Sequence, residues 1–197
     1  MNMWRLFIAL VLPEEVLREL ERIQQQLQKA VPETAARWVR PEGVHLTLKF
    51  LGDTPEDKVE ALTQGIRRAA EGIPPIALRA EGLGCFPNAA RPRNLWVGVK
   101  GDLDTLRALH RAIEREMEPL GFEPEGRRFD PHLTLARTAR HASRDEQAGL
   151  GRLVEESDIG LVAAWEAGAV DLIRSYLKPS GASYEQVAEI PLRQEPG

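Results

Sequence analysis

The chain has one cysteine, two tyrosines and four histidines in 197 residues. The lone thiol, Cys85, can form no internal disulfide, and such sparing use of cysteine fits a reducing compartment. Long apolar runs are missing too. The run from Leu6 to Leu12 is too short to span a membrane and has Arg5 at its start, so no transmembrane helix and no secretory signal are expected. The expected location is the cytoplasm. An excess of positive charge is also absent: 26 Lys and Arg stand against 30 Asp and Glu, a net −4. That balance excludes a general polyanion binder, so any contact with nucleic acid must come from a local basic cleft. There is no glycine-rich phosphate loop and no nucleophile-elbow serine, and pieces such as Gly82-Leu83-Gly84 read as turns. What remains is an ordinary globular mixture, long enough to bury a core as one domain or two small lobes.

Against this plain background one phrase occurs twice. His45-Leu46-Thr47-Leu48 and His132-Leu133-Thr134-Leu135 lie one in each half of the chain, each in a short apolar run of strand type. Successive side chains of a strand point to opposite faces. The leucines therefore share one face, the natural core face, and an imidazole and a hydroxyl share the other, twice.

Around the two motifs the periodicity gives an ordered series of elements. Leu6–Val11 reads as a fully buried strand. A helix opens at Pro13, with Glu14 and Glu15 in its first turn and Val16, Leu20, Ile23 and Leu27 buried. Arg37–Val39 is a short strand or an extended entry, and the first motif strand runs from Val44 to about Leu51, ending at Gly52. Thr54 is expected to cap the next helix, with Pro55 at its first position. Ile76–Leu83 and Leu95–Val99 read as strands, separated by an arginine- and proline-rich loop at 86–93. Asp102 caps a third helix, Phe129-Asp130-Pro131 leads into the second motif strand, and Ser143–Glu146 is a capping box for a fourth helix. One long strand or two short ones follow from Ala163 to Leu177. A turn at Lys178–Gly181 and a returning strand from Ser183 close the fold, leaving a loose tail from Arg193. The order strand, helix, motif strand, helix, strand occurs twice. Such a duplication suits a pseudo-two-fold axis that brings the polar faces of both motif strands to one cleft.

Two imidazoles at one cleft suit an in-line displacement. One takes a proton from the nucleophile while the other, protonated, gives one to the leaving oxygen. Threonine hydroxyls donate to oxygens on which negative charge builds, and Arg137, just after the second motif, offers a forked positive donor. Phosphorus in a phosphodiester meets all these requirements. Zinc is the chemical rival, but it needs three or four ligands. Only Asp130 stands near in phase, and Pro131 interrupts that strand, so neither metal nor cofactor is expected.

The residues His45–Gly52 and Pro131–Arg137 resemble the two-histidine (2H) phosphoesterases, and specifically the LigT-like RNA 2′,3′-cyclic phosphodiesterases. Arg5–Ala9, Phe86-Pro87 with Leu95–Gly98, and the stretch Ser175–Tyr184 extend the likeness over nearly the whole chain. The resemblance implies an α+β, bilobal fold: one domain over residues 1–197, with halves near 1–90 and 91–197 that exchange strands, and two antiparallel-rich sheets lining a central cleft with helices outside. It implies metal-independent opening of an RNA terminal 2′,3′-cyclic phosphate to a 2′-phosphate, and reversible 2′,5′ joining of RNA ends by the same groups. His45 matches the family's proton donor, His132 its proton acceptor, and Thr47 and Thr134 its phosphate-holding hydroxyls. The sequence itself does not tell the two histidine roles apart.

Other residues carry weaker expectations. Lys49, in phase with His45, either meets a phosphate or is a solvated strand end, and Phe50 is expected in the core. Trp38 is a candidate to stack on a base, against the alternative of core packing. Arg128, with Arg91, Arg93 and Arg127, is a candidate for a basic rim. His110 and His141 receive no role, and Cys85 is expected to be buried and inert. Two other functions compete with the RNA-end reading: a 2H enzyme for a small cyclic nucleotide, such as a cyclic phosphate of an ADP-ribose derivative, and an RNA-binding protein without turnover. The latter would be expected to lose a motif His or Thr, and all four are present.

Overall fold

The apolar run near the start is buried because it occupies the interior of a sheet with both faces covered. In the computed structural model, which describes residues 2–178 and 181–193, it forms β1 (Met3–Val11). Leu6, Ile8 and Leu10 enter the main core, and Phe7 and Ala9 pack with Ile173 on the opposite face. The chain continues as α1 (Glu14–Gln28), β2 (Ala36–Trp38), β3 (His45–Pro55), α2 (Val59–Ala70), β4 (Ile76–Phe86), β5 (Asn94–Gly101) and α3 (Leu103–Met117). It closes with β6 (His132–Thr138), α4 (Arg144–Glu156), β7 (Leu161–Ala167), β8 (Ala169–Lys178) and β9 (Gly181–Pro191). Pro179 and Ser180, in the expected turn, and the tail after Arg193 lie outside the described residues. Arg193 itself bridges Glu71.

Two antiparallel sheets result, in the orders β3-β1-β8-β9 and β2-β6-β5-β4-β7. The region expected as one long strand or two is two, and they belong to different sheets, with the crossing at Gly168. β4 likewise leaves the sheet of β1 and β3 for that of β6. The helices cover one side. Motif leucines Leu46, Leu48, Leu133 and Leu135 share a single core with Leu20 of α1, Leu62 and Ile66 of α2, and Leu106 and Ile113 of α3.

The duplication extends to register. His45 lies opposite Val11 as His132 lies opposite Gly98; Thr47 opposite Ala9 as Thr134 opposite Trp96; Phe50 opposite Phe7 as Arg137 opposite Asn94. In both pairs the register slips by one residue just after the motif threonine, a β-bulge at Leu48 and at Leu135. Gln24 of α1 is buried and serves the second bulge: its Nε2 donates to the Leu135 and Val39 carbonyls, each at 2.9 Å.

A bulge reverses the alternation beyond it, and two expectations fail for that reason. Phe50 points out of the core and is 64% exposed. Lys49 turns inward and is 2% exposed, so it is no phosphate ligand: its Nζ donates to both Glu114 oxygens at 2.8–2.9 Å and to the Glu123 carbonyl at 2.9 Å. The start of α2 also differs. Gly52 adopts φ +69° within β3 rather than ending it, Thr54 donates to the Gly52 carbonyl, and a short 3-10 turn at Glu56–Lys58 precedes the helix. The expected caps of α3 and α4 form as read, by Asp102 on the Thr105 N–H and by Ser143 with Glu146.

Removing one partner of a buried ion pair leaves the other charge uncompensated. Lys49→Met is therefore expected to cost about 3–5 kcal/mol, measured as a fall in the urea midpoint with unchanged slope; a change within experimental scatter would contradict the pairing.

Candidate active site

The two motif strands come together where the sheets adjoin, β3 lying against β6. His45 and Thr47 come from one and His132 and Thr134 from the other, all partly exposed on the face away from the leucines. Neither threonine hydroxyl is engaged by another group among the described residues, so both are free to donate.

The two imidazoles sit in unlike surroundings. His45 is stacked on Phe7 (centroids 4.6 Å, 26° between planes) and met edge-on by Tyr184 (5.1 Å, 78°). Tyr184 belongs to β9, at the far edge of the same sheet, which curls over so that the ring also abuts Gly43; a Cβ there would stand 3.0 Å from Tyr184 Cε2. Burial under these rings pulls the His45 pKa from the ordinary 6.5 down to about 4. His132 has Phe86 edge-on (4.9 Å, 86°) and Trp96 tilted beside it (6.0 Å). Its Nδ1 lies 2.7 Å from the Asp130 carbonyl oxygen. A carbonyl only accepts, so Nδ1 carries the hydrogen, and Nε2 is the nitrogen left to exchange a proton.

Glycines make room for this wall. Trp96 lies across Gly84, where a Cβ would stand 2.2 Å from the indole ring. Gly98, opposite His132, backs onto the Glu81 carbonyl at 3.0 Å from where its Cβ would be.

The other expected site residues are dispersed. Arg137 follows the second bulge, is exposed, and pairs across the sheet with Arg37 and Asn94; its charge reaches Tyr184. Trp38 does not face the cleft: its partner Ala136 is fully buried and Trp38 packs against the core, so it is not placed to stack on a base. Arg128 is exposed in the stretch before β6, where it lines a cavity beside α3. Cys85 is half-buried rather than buried, and burial with the nearby Glu155 raises its pKa and keeps it a thiol. Phe7, Tyr184, Phe86 and Trp96, the rings that surround both histidines, lie in stretches that carry the family likeness but receive no site role from the sequence. The available signal was register: Phe7 lies in the strand paired with the first motif, and Trp96 opposite Thr134. Among the described residues no three His, Cys, Asp or Glu side chains converge as a metal site.

Comparisons with known proteins agree with this fold. The family described as LigT like phosphoesterase matches the chain twice, over residues 10–96 and 97–181. A protein of Methanothermobacter thermautotrophicus named RNA 2′,3′-cyclic phosphodiesterase is 34% identical over 180 residues, 91% of this chain and 94% of that one. A protein of the same name from Thermotoga maritima is 31% identical, covering 94% of each chain. A solved structure from Thermus thermophilus superposes with a TM-score of 0.80 at 32% identity, over 97% of this chain and 99% of that one.

Two outcomes are expected. In a proton NMR titration, the His45 ring should charge only near pH 4. Because the unfolded chain takes that proton near 6.5, this group removes stability as pH falls from about 6.5 to 4; a His45 midpoint near 6.5 would contradict its burial. Gly84→Ala should force Trp96 aside, at about 1–3 kcal/mol for the overpacking, with shifted tryptophan fluorescence and a moved His132 resonance. Unchanged spectra would show that the ring does not depend on that glycine.

Proposed function

The chain belongs to the LigT-like phosphoesterase family, and from that premise we propose that it is a phosphoric diester hydrolase that opens the 2′,3′-cyclic phosphate at an RNA end to a 2′-phosphate. The observation that carries this is the pairing of two His-Thr faces on adjoining strands, with one imidazole whose Nδ1 is already bound and whose Nε2 is left for a proton. In this mechanism His132 Nε2 takes a proton from water as its oxygen attacks phosphorus. The bond from phosphorus to the ribose 3′-oxygen breaks in line, and His45 gives its proton to that oxygen. Thr47 and Thr134 donate to the phosphoryl oxygens, and Arg137 adds positive charge from the cleft rim.

His45 is neutral at pH 7 in the free protein, so its role as acid depends on the substrate. A phosphate anion beside the ring favours the charged form and opposes the desolvation that lowers its pKa. The exposed rings of Phe50 and Tyr184 stand at the same cleft and offer faces for a nucleobase. When a 5′-hydroxyl takes the place of water, the same groups join ends through a 2′,5′ linkage. No helix among the described residues is long and apolar enough to cross a membrane, and a cytoplasmic protein acting on RNA ends fits that.

The decisive measurement is product identity. Purified protein with EDTA should convert a short RNA ending in a 2′,3′-cyclic phosphate to a 2′-phosphate. His45→Ala and His132→Ala should each lose about 10²–10⁴-fold in kcat, and Thr47→Val or Thr134→Val about 10²–10³-fold. A product that both histidine variants still form would overturn the mechanism. Turnover confined to small cyclic nucleotides, or binding without turnover, would move the assignment to those alternatives.

A further inference from the structure

Beside the start of β6 lies an open cavity of about 380 Å³ lined by Arg107, His110, Arg111, Arg128 and Phe129. Resting on the RNA-end reading above, we propose that this cavity holds a backbone phosphodiester of the RNA strand upstream of the reacting end, so that the protein grips an oligonucleotide more tightly than a mononucleotide.

Three observations support it. The first is position. Arg107, His110 and Arg111 are spaced three and four apart on α3 and so share one face. Arg128 and Phe129 come from the stretch that delivers His132. There Phe129 and Pro131 turn inward while Arg128 and Asp130 are exposed, and His132 continues the outer phase. Four extended residues span at most about 14 Å, so the cavity lies within reach of the next few nucleotides of a strand whose end is at His132.

The second is charge. In a chain of net charge −4, three arginines line this one cavity. Arg111 and Arg128 pair with no acid among the described residues, and Arg107 approaches only the fully exposed Asp104, at 3.7 Å. Glu114 also stands near, 3.8 Å from His110 Nε2, and among the described residues no ion pair joins Glu114, Glu123, Glu125 or Asp130 to these arginines. Glu114 is held by Lys49 and by the Glu125 N–H, so its charge is already matched. Guanidinium forks match a phosphodiester's two unesterified oxygens.

The third is the floor. His110 stacks on Phe129 at 4.1 Å and 14°, so that face of the phenyl ring is already covered. Burial holds His110 below the usual imidazole range, so the positive charge of the cavity is that of the arginines. The buried Lys49–Glu114 pair fixes the same loop at the Glu123 carbonyl and the Glu125 N–H, so the arginines are presented on a held frame. Arginines around an aromatic floor whose Phe129 ring is already stacked on His110 suit a phosphate better than a base.

The test compares two substrates in wild type and in Arg107→Gln/Arg111→Gln. One is a short oligoribonucleotide ending in a 2′,3′-cyclic phosphate; the other is a nucleoside 2′,3′-cyclic phosphate. For the oligonucleotide, kcat/KM should fall about tenfold, mainly through KM, and the salt dependence should become shallower by about one in log–log slope. Turnover of the mononucleotide should stay within about twofold of wild type. Equal losses on both substrates, or none on the oligonucleotide, would overturn the proposal. Should wild type turn over neither substrate, the functional reading fails while the cavity is still judged by fluorescence anisotropy with the same oligonucleotide ending in a 3′-phosphate. Weaker binding by the variant would then support the phosphate site, and equal binding would overturn it.

Discussion

Burial of four leucines into one core governs the geometry of the candidate site. Leu46, Leu48, Leu133 and Leu135 are at most 2% exposed and enter a single cluster with residues of three helices. Each such side chain is worth roughly 1.5–3 kcal/mol when withdrawn from water. A slip of one residue in either motif strand would exchange leucines for His and Thr across the sheet. Hydrophobic register thus holds two imidazoles and two hydroxyls at the junction without any bond between them. Both sheets share that core, so the relative placement of the two strands is set by packing rather than by a flexible linker.

The paired bulges then determine what stands next to the four groups. By reversing the alternation after Leu48 and Leu135, they send Phe50 and Arg137 to the polar face and turn Lys49 and Ala136 inward. An inward lysine is costly unless paired and fully hydrogen-bonded. Glu114 and the Glu123 carbonyl supply that pairing, and Glu114 also receives the Glu125 N–H. The desolvated charge therefore ties the first motif strand to α3 and to the loop that leads to His132. Ala136, at the equivalent place in the other half, needs no such partner, so the duplicated backbone carries a tether on one side only.

What was legible in the sequence followed from periodicity and caps. The double motif, the order of elements, the cap at Asp102 and the box at Ser143 could all be read, because each depends on residues close in the chain. The bulges could not, since a bulge is a property of pairing, and nothing within Leu48-Lys49-Phe50 announces that Ile8 will lie opposite Lys49 while Ala9 lies opposite Thr47. Lys49 and Phe50 are misplaced for that same lack of cross-strand information, whereas Trp38 takes the core-packing alternative. The exchange of β4 and β8 between sheets is likewise long-range, and so is the approach of Tyr184 to His45 from the far edge of a curled sheet.

Duplication gives two copies of one device, but acid–base chemistry needs two different devices. The difference lies entirely in the neighbours. His132 has a fixed Nδ1–H on the Asp130 carbonyl and leaves Nε2 for proton exchange, which suits a base. His45 is enclosed by Phe7 and Tyr184, with no hydrogen-bond partner among the described residues, and burial disfavours its charge. Such a ring gains its proton readily only when an anion shares the enclosure. In the proposed mechanism, an acid whose protonation depends on the phosphate it serves is armed only when that phosphate is bound, and so the asymmetry of the surrounding rings, rather than the repeated motif, would separate the two proposed roles.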